Sequence, residues 1–252
     1  TIRNTKFETT FTGEVGLRGN YSTIFNYAME VSPVDESNLN QSLIIVTPNT
    51  IDYGGITEMW TDGSAIAFCP LSEDSYPYDA RGIIQHEAGG HGFGKLGDEY
   101  IYHNTFIDFC DCTCCEHVFE FNIAKSLGWY ENLSLTGKMH EVPWSHLIFD
   151  DRYSDVVDIY EGGFMHARGV FRSEQNSCMN NNISYYNAIS REAIVKRIME
   201  YAGESYSFEK FVENDKRDAV NSLSRSAERP GVTVRGNQYA PRIHKGKPDI
   251  LK

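Results

Sequence analysis

The stretch that decides the reading is His86-Glu87-Ala88-Gly89-Gly90-His91, HEAGGH. Two imidazoles facing one way on a helix, with a carboxylate beside them, form the donor set that holds a metal ion next to a general base. The spacing is unusual. At about 100° per residue, a step of four leaves two side chains roughly 40° apart, whereas a step of five swings them to roughly 140°. An ordinary helix with a surface histidine is the plainer reading, and the residues between the histidines speak against it. Paired glycines weaken a helix by roughly 1 kcal/mol each relative to Ala, so a helix made only for stability avoids them. Such a segment admits a wide turn with i to i+5 bonding, about 4.4 residues around, which returns His91 to nearly the face of His86. The spacing therefore predicts a helix over 79–91, capped by Asp79 and widened near Ala88 to Gly90. His86 and His91 are then ligands of one metal, and Glu87 is the general base.

Beyond His91 the chain reads GFGKLGDEY. Gly92, Gly94 and Gly97 are expected to turn it out of the helix and back, returning Asp98 and Glu99 where a third ligand is needed. Ligand chemistry admits either carboxylate. Two imidazoles, one carboxylate and an open position for water make the donor set of a catalytic Zn2+.

Composition narrows the classes. The 252 residues carry a net charge of -12, from 23 Lys+Arg against 35 Asp+Glu, so phosphate attraction works against the chain and nucleic acid is not an expected partner. No apolar run of about 18 residues offers a membrane-spanning helix, and the first residues, TIRNTKFETT, lack the apolar core of a signal peptide. Six cysteines, Cys69, Cys178 and the cluster Cys110, Cys112, Cys114 and Cys115 in FCDCTCCEH, fit disulfides in an oxidising compartment. The rival reading of the cluster is a second metal site, with Asp111, Glu116 and His117 nearby, although it lacks paired C-x2-C spacing.

Apolar periodicity predicts a helix over 21–31 with Ser22 near its N-cap, and buried strands at SLIIVTPN and SAIAFCP separated by a turn at DYGGI. Further helices are expected at CEHVFEFNIAKSLG, closed by Gly128, at SREAIVKRIMEYAG, capped by Ser190 and ending at Gly203, and over SFEKFVENDKRDAVNSLSRSAE. Short strands are expected at DVVDIY and HARGVF, with Gly162 and Gly163 between them. The domain boundaries follow as 1–227 and an extended basic tail, 228–252, with a cysteine-rich insert at about 103–117. The tail holds six Lys/Arg against two acids.

HEAGGHGFGKLGDEY resembles the HE-x-G-H-x4-L-x-D-E-Y signature of the IgA-peptidase-like metallo-endopeptidases, with one extra residue between the histidines. YGG at 53–55, PW at 143–144, YEGG at 160–163, FRSEQNSCMN at 171–180 and YNAISREAIVKRIM at 186–199 are similar to that family's motifs in its order. The resemblance covers about 20–200 and leaves out the tail and the cysteine insert. It implies an α+β, zincin or metzincin-like domain with a mixed sheet, an active-site helix and a Met-turn, and further strands ahead of the first helix read here. It also implies Zn2+ held by His86, His91 and Asp98, Glu87 as base, and Met179 packed beneath the ligands. Glu99 remains the competing ligand, since related metzincins place the third donor at the position of Gly97, which cannot coordinate. His166, Tyr185 and Tyr186 are candidates for oxyanion stabilisation. The implied activity is zinc-dependent hydrolysis of peptide bonds in a protein or peptide substrate, by a bacterial protein that is secreted, periplasmic or at the cell surface. Two other classes stay open: a catalytically silent zinc-binding surface or adhesion protein, and a zinc amidase acting on glycan or cell-wall amides.

Overall fold

The first helix starts at Tyr21, where its periodicity places it, but ends at Ala28 and is capped by Asn20 in place of Ser22. The Asn20 side chain accepts the Thr23 amide at 3.0 Å, capping α1 (Tyr21–Ala28), and Ile24 and Phe25 fall on its buried face. A computed structural model describes residues 5–12, 16–107, 114–215 and 240–250. The fold is mixed α/β, and the chain divides into two units: Thr1–Phe93 with Arg235–Lys252, and Gly94–Val234.

In the first unit, a hairpin of β1 (Thr10–Thr12) and β2 (Gly16–Arg18) precedes α1. Strands β3 (Leu43–Val46), β4 (Ile56–Trp60) and β5 (Ala65–Phe68) then form a sheet with a C-terminal strand, Arg242–His244. The order is C-terminal strand, β4, β5, β3. β3 runs parallel to β5, β4 antiparallel to it, and the C-terminal strand parallel to β4. SAIAFCP becomes β5, buried on both faces, as its unbroken apolar run implies. SLIIVTPN differs. β3 is an edge strand, so only Val46 is buried while Leu43 and Ile45 face out. The segment ITEMW, not expected as a strand, becomes the interior β4. Its alternation sends Ile56, Glu58 and Trp60 to one face and Thr57 and Met59 to the other. Ile56 and Trp60 pack with Ile24, Phe25, Ile66 and Phe68 under α1.

Part of the segment read as a tail thus completes a sheet. Arg242 Nη1 donates to Glu58 Oε1 and His244 Nε2 lies against Oε2, each at 2.7 Å, with the Tyr21 hydroxyl donating at 2.8 Å. A charge buried in the sheet is tolerable because these partners meet it. On the sheet's other face lie α2 (Ala80–Ile84), capped by Asp79 through the Arg81 and Gly82 amides, and a π-helix, Gln85–Phe93. There Ala67, Cys69, Ile83 and Ala88 form a small apolar cluster.

The second unit is built on β6 (Ile101–Phe106), β7 (Leu133–Ser134), β8 (Tyr160–Gly163) and β9 (Met165–Arg172), with β9 parallel to β6 and antiparallel to β7 and β8. DVVDIY contributes only its last residue, Tyr160, to a strand. Helix α3 (Cys114–Ser126) ends at Gly128, whose φ of 73° is the left-handed cap expected there. The short α4 (Ser145–Ile148) and α5 (Cys178–Asn181) precede α6 (Ala188–Ala202), which Asn187 caps in place of Ser190. Helix α7 (Phe208–Asn214) ends at an extended Asp215, earlier than its sequence pattern; the remainder of that pattern from 216 lies outside the described residues. Trp144, Leu147, Tyr153, Ile189 and Phe211 centre this unit's core. The cysteine cluster's thiols also lie outside the described side chains. Cys69 and Cys178 form no disulfide, contrary to expectation; both are buried, Cys69 within an apolar cluster and Cys178 in hydrogen-bond contact with Tyr186. Among the described residues no helix is long and apolar enough to cross a membrane.

Candidate metal centre

The π-helix answers the spacing of HEAGGH. Its widened turn is not confined to Ala88–Gly90 but runs through nine residues, and it brings His86 Nε2 and His91 Nε2 to 3.1 Å from one another. Both side chains are buried. Nitrogens bound 2.0–2.1 Å from one tetrahedral ion stand about 3.3 Å apart, so this spacing fits a shared cation. The glycines serve close packing as well: a Cβ at Gly92 would sit 2.8 Å from Leu43 Cδ1 of β3.

Asp98 supplies the oxygen. One ligand atom each from His86, His91 and Asp98 lie within 4.8 Å of one another, and all three residues are buried. The donor chemistry of two imidazoles and a carboxylate suits Zn2+. The turn after the π-helix is not made as expected, because the left-handed residue is Lys95, at φ 52°, and none of Gly92, Gly94 or Gly97 has positive φ. Gly97 is needed for space: a Cβ there would lie 2.6 Å from Leu133 Cδ1. Backbone bonds fix the loop beyond it, with the Asp98 carbonyl accepting Phe164 N at 2.8 Å.

Glu99 belongs to a different structure. Its Oε1 accepts from Asn132 Nδ2 at 2.9 Å and Asn187 Nδ2 at 2.7 Å, and its Oε2 accepts from the Ser177 hydroxyl at 2.5 Å. Burial pushes its pKa up, while these donors and the Arg172 charge oppose the rise. The stretch FRSEQNSCMN builds this network. Ser177 caps α5 and reaches Glu99, and Glu174 accepts the Tyr185 hydroxyl and the Ala188 amide at the start of α6. Met179 is fully buried, and its carbonyl accepts the Glu99 amide at 2.8 Å.

Glu87 is positioned by two residues that the sequence reading did not single out for it. Thr57 Oγ1 lies 2.8 Å from Glu87 Oε2 and 2.9 Å from its carbonyl oxygen, so one hydroxyl on β4 fixes the side chain against its own backbone. Gly55 makes the room. A Cβ there would lie 2.7 Å from Glu87 Cγ and 2.8 Å from Oε1. The paired glycines of YGG were legible as a turn; a glycine at a strand start also marks a close approach, and that signal pointed here. Beneath them, burial and then the Glu87 carboxylate hold the Cys69 thiol well above its ordinary pKa, which keeps it neutral. No protein-family model and no curated protein matches this chain.

Proposed function

We propose that the chain is a zinc-dependent endopeptidase that hydrolyses peptide bonds of protein substrates, with Glu87 as general base. The observation that carries this reading is the buried convergence of His86, His91 and Asp98 around the π-helix that also bears Glu87. Zn2+, when bound, supplies a Lewis acid that polarises the scissile carbonyl and acidifies water. The chain supplies the rest. His86, His91 and Asp98 hold the ion, and Glu87 takes the proton of the attacking water and passes it to the leaving amine. Thr57 holds the carboxylate's rotamer, and Gly55 leaves it space. The resemblance of HEAGGHGFGKLGDEY and FRSEQNSCMN to the IgA-peptidase-like metallo-endopeptidases supports the same assignment, with Met179 as the methionine of the Met-turn. It does not make IgA the substrate, because specificity resides in the walls of the pocket.

The test is digestion of an unfolded protein and of a peptidoglycan preparation side by side, with and without chelator, by the parent chain and by Glu87→Gln. Chelator-sensitive cleavage of the protein is expected. Glu87→Gln should keep its metal and fold and lose about 10²- to 10⁴-fold in turnover. Cleavage of peptidoglycan alone points to the amidase, and metal uptake without any cleavage points to the silent binding protein.

A further inference from the structure

Helices α6 and α7 form a hairpin within the second unit that is fastened at both ends. At one end Gly203, at φ 69°, closes α6, and the chain turns through Glu204 to Tyr206 into α7, which Ser207 caps. At the other end the Arg191 guanidinium, on the first turn of α6, meets the Asp215 carboxylate after α7 in two bonds of 2.7 Å each. Arg191, Val195 and Met199 follow one another at steps of four and share a face of α6, while Lys210, Phe211 and Asn214 share a face of α7. These faces line a cavity of about 520 Å³. Small-molecule sites occupy roughly 300–1,000 Å³. Packed protein leaves few voids larger than a water molecule, so a space of this size between two tied helices is room for a ligand.

The walls narrow what fits. Tyr186, Ile194, Val195, Met199 and Phe211 make the interior apolar, whereas Glu204, Lys210 and Asn214 are exposed and mark the mouth. Arg191 and Lys210 against Glu204 and Asp215 leave the lining with no net charge, and the Arg191–Asp215 pair is already saturated. A charged head would meet one like charge for every opposite one and lose its hydration besides. Uncharged partners are at hand in the Ser207 hydroxyl and in Asn214, whose amide nitrogen donates to the Lys210 carbonyl at 2.8 Å and whose oxygen can still accept. We infer that the α6–α7 cavity binds an uncharged ligand with an apolar body and one hydrogen-bonding head, of the class of medium-chain alcohols and amides. None of its lining residues belongs to the His86, His91 and Asp98 group, so the site stands or falls independently of the proposed activity.

The experiment is calorimetric titration of the full chain with 1-octanol, 1-nonanol and 1-decanol, beside decanoate and decylamine. One equivalent of alcohol is expected, with affinity rising about fourfold for each added methylene. Both charged analogues should bind about tenfold more weakly than decanol, or worse. Val195→Trp and Met199→Trp each fill the space and should abolish uptake; with two such variants, one that fails to fold leaves the other to decide. Ile198→Trp, on the exposed side of α6, should bind as the parent chain does, and so should His86→Gln/His91→Gln. No saturable uptake, an affinity independent of chain length, or uptake unchanged in the folded Trp variants overturns the inference. Decanoate binding more tightly than decanol overturns the uncharged class. A dimer of the parent chain that Val195→Trp dissociates also overturns it, because a second copy then fills the cavity.

Discussion

Glu87 and Glu99 are the same residue type, both buried, twelve positions apart, and the structure treats them in opposite ways. The surroundings of Glu87 include Gly55, Thr57, Cys69 and its own π-helix. Those of Glu99 come from Asn132, Arg172, Ser177 and Asn187, drawn from 88 residues of sequence. One carboxylate is given room on its Gly55 side and set beside a donor group for a cation. The other is saturated by three side-chain donors and holds a loop to α5 and α6. The contrast teaches that burial alone does not tell a structural carboxylate from a candidate base; what the protein arranges around its oxygens does.

The sharpest way to break this contrast is at the third ligand. Asp98→Ala removes an oxygen donor and should lower Zn2+ affinity well beyond the about 10- to 100-fold that a residue standing behind the ligands commands. Glu99→Gln should stay within that range and leave the fold intact, because an amide matches the shape and relieves a buried charge. Glu99→Ala should instead lose stability, since it leaves Ser177, Asn132 and Asn187 facing a void, at about 1–3 kcal/mol for each donor left unmet. Metal analysis showing Glu99→Gln to be the more depleted protein would reverse the assignment.

If the Glu99 region is structural, its carboxylates should be visible in stability. Glu174 is the measurable case, since burial raises its pKa to about 7 against the favourable bonds from Tyr185 and the Ala188 amide. A raised folded pKa means that the contribution is fully present below about 4.5 and is lost as pH rises through about 7. At 1.36 kcal/mol per unit, the loss across that window is roughly 3 kcal/mol. Glu174→Gln should flatten this slope in denaturant titrations. An unchanged slope would assign the pH dependence to other groups.

The difference between the two regions also governs what was legible in the sequence. The π-helix could be argued from HEAGGH because a five-residue step and three small residues are local facts, and the helices α1 and α3 follow from local periodicity. β4 is not legible from its own residues, because ITEMW puts a glutamate in the middle of a strand. Arg242 and His244, more than 180 residues away, and the Tyr21 hydroxyl make that burial tolerable. The same distance hid the pairing of Asn132 and Asn187 with Glu99. Asp98 and Glu99 are equivalent as ligands in sequence; in the structure Asp98 groups with His86 and His91, while Glu99 accepts from Asn132, Asn187 and Ser177. β3 is less buried than its apolar run implies, because such a run does not reveal whether a strand is flanked on one side or two.

The smallest effect tests the Glu87 side of the comparison most directly. Gly55 has no left-handed φ that would bar alanine, so Gly55→Ala changes one thing, the space beside the carboxylate. Overpacking of this kind costs about 1–3 kcal/mol. If the displacement falls on Glu87, whose Cγ and Oε1 are the nearest atoms, kcat should fall by about 5- to 150-fold while Zn2+ content stays that of the parent chain. Gly137→Ala is the matched control, since its Cβ would lie 2.7 Å from the Phe171 ring, in the second unit. It should lower Tm and leave kcat alone. Equal losses of kcat in both variants would mean that the rate reports general stability, and that Gly55 has no particular part in placing the base.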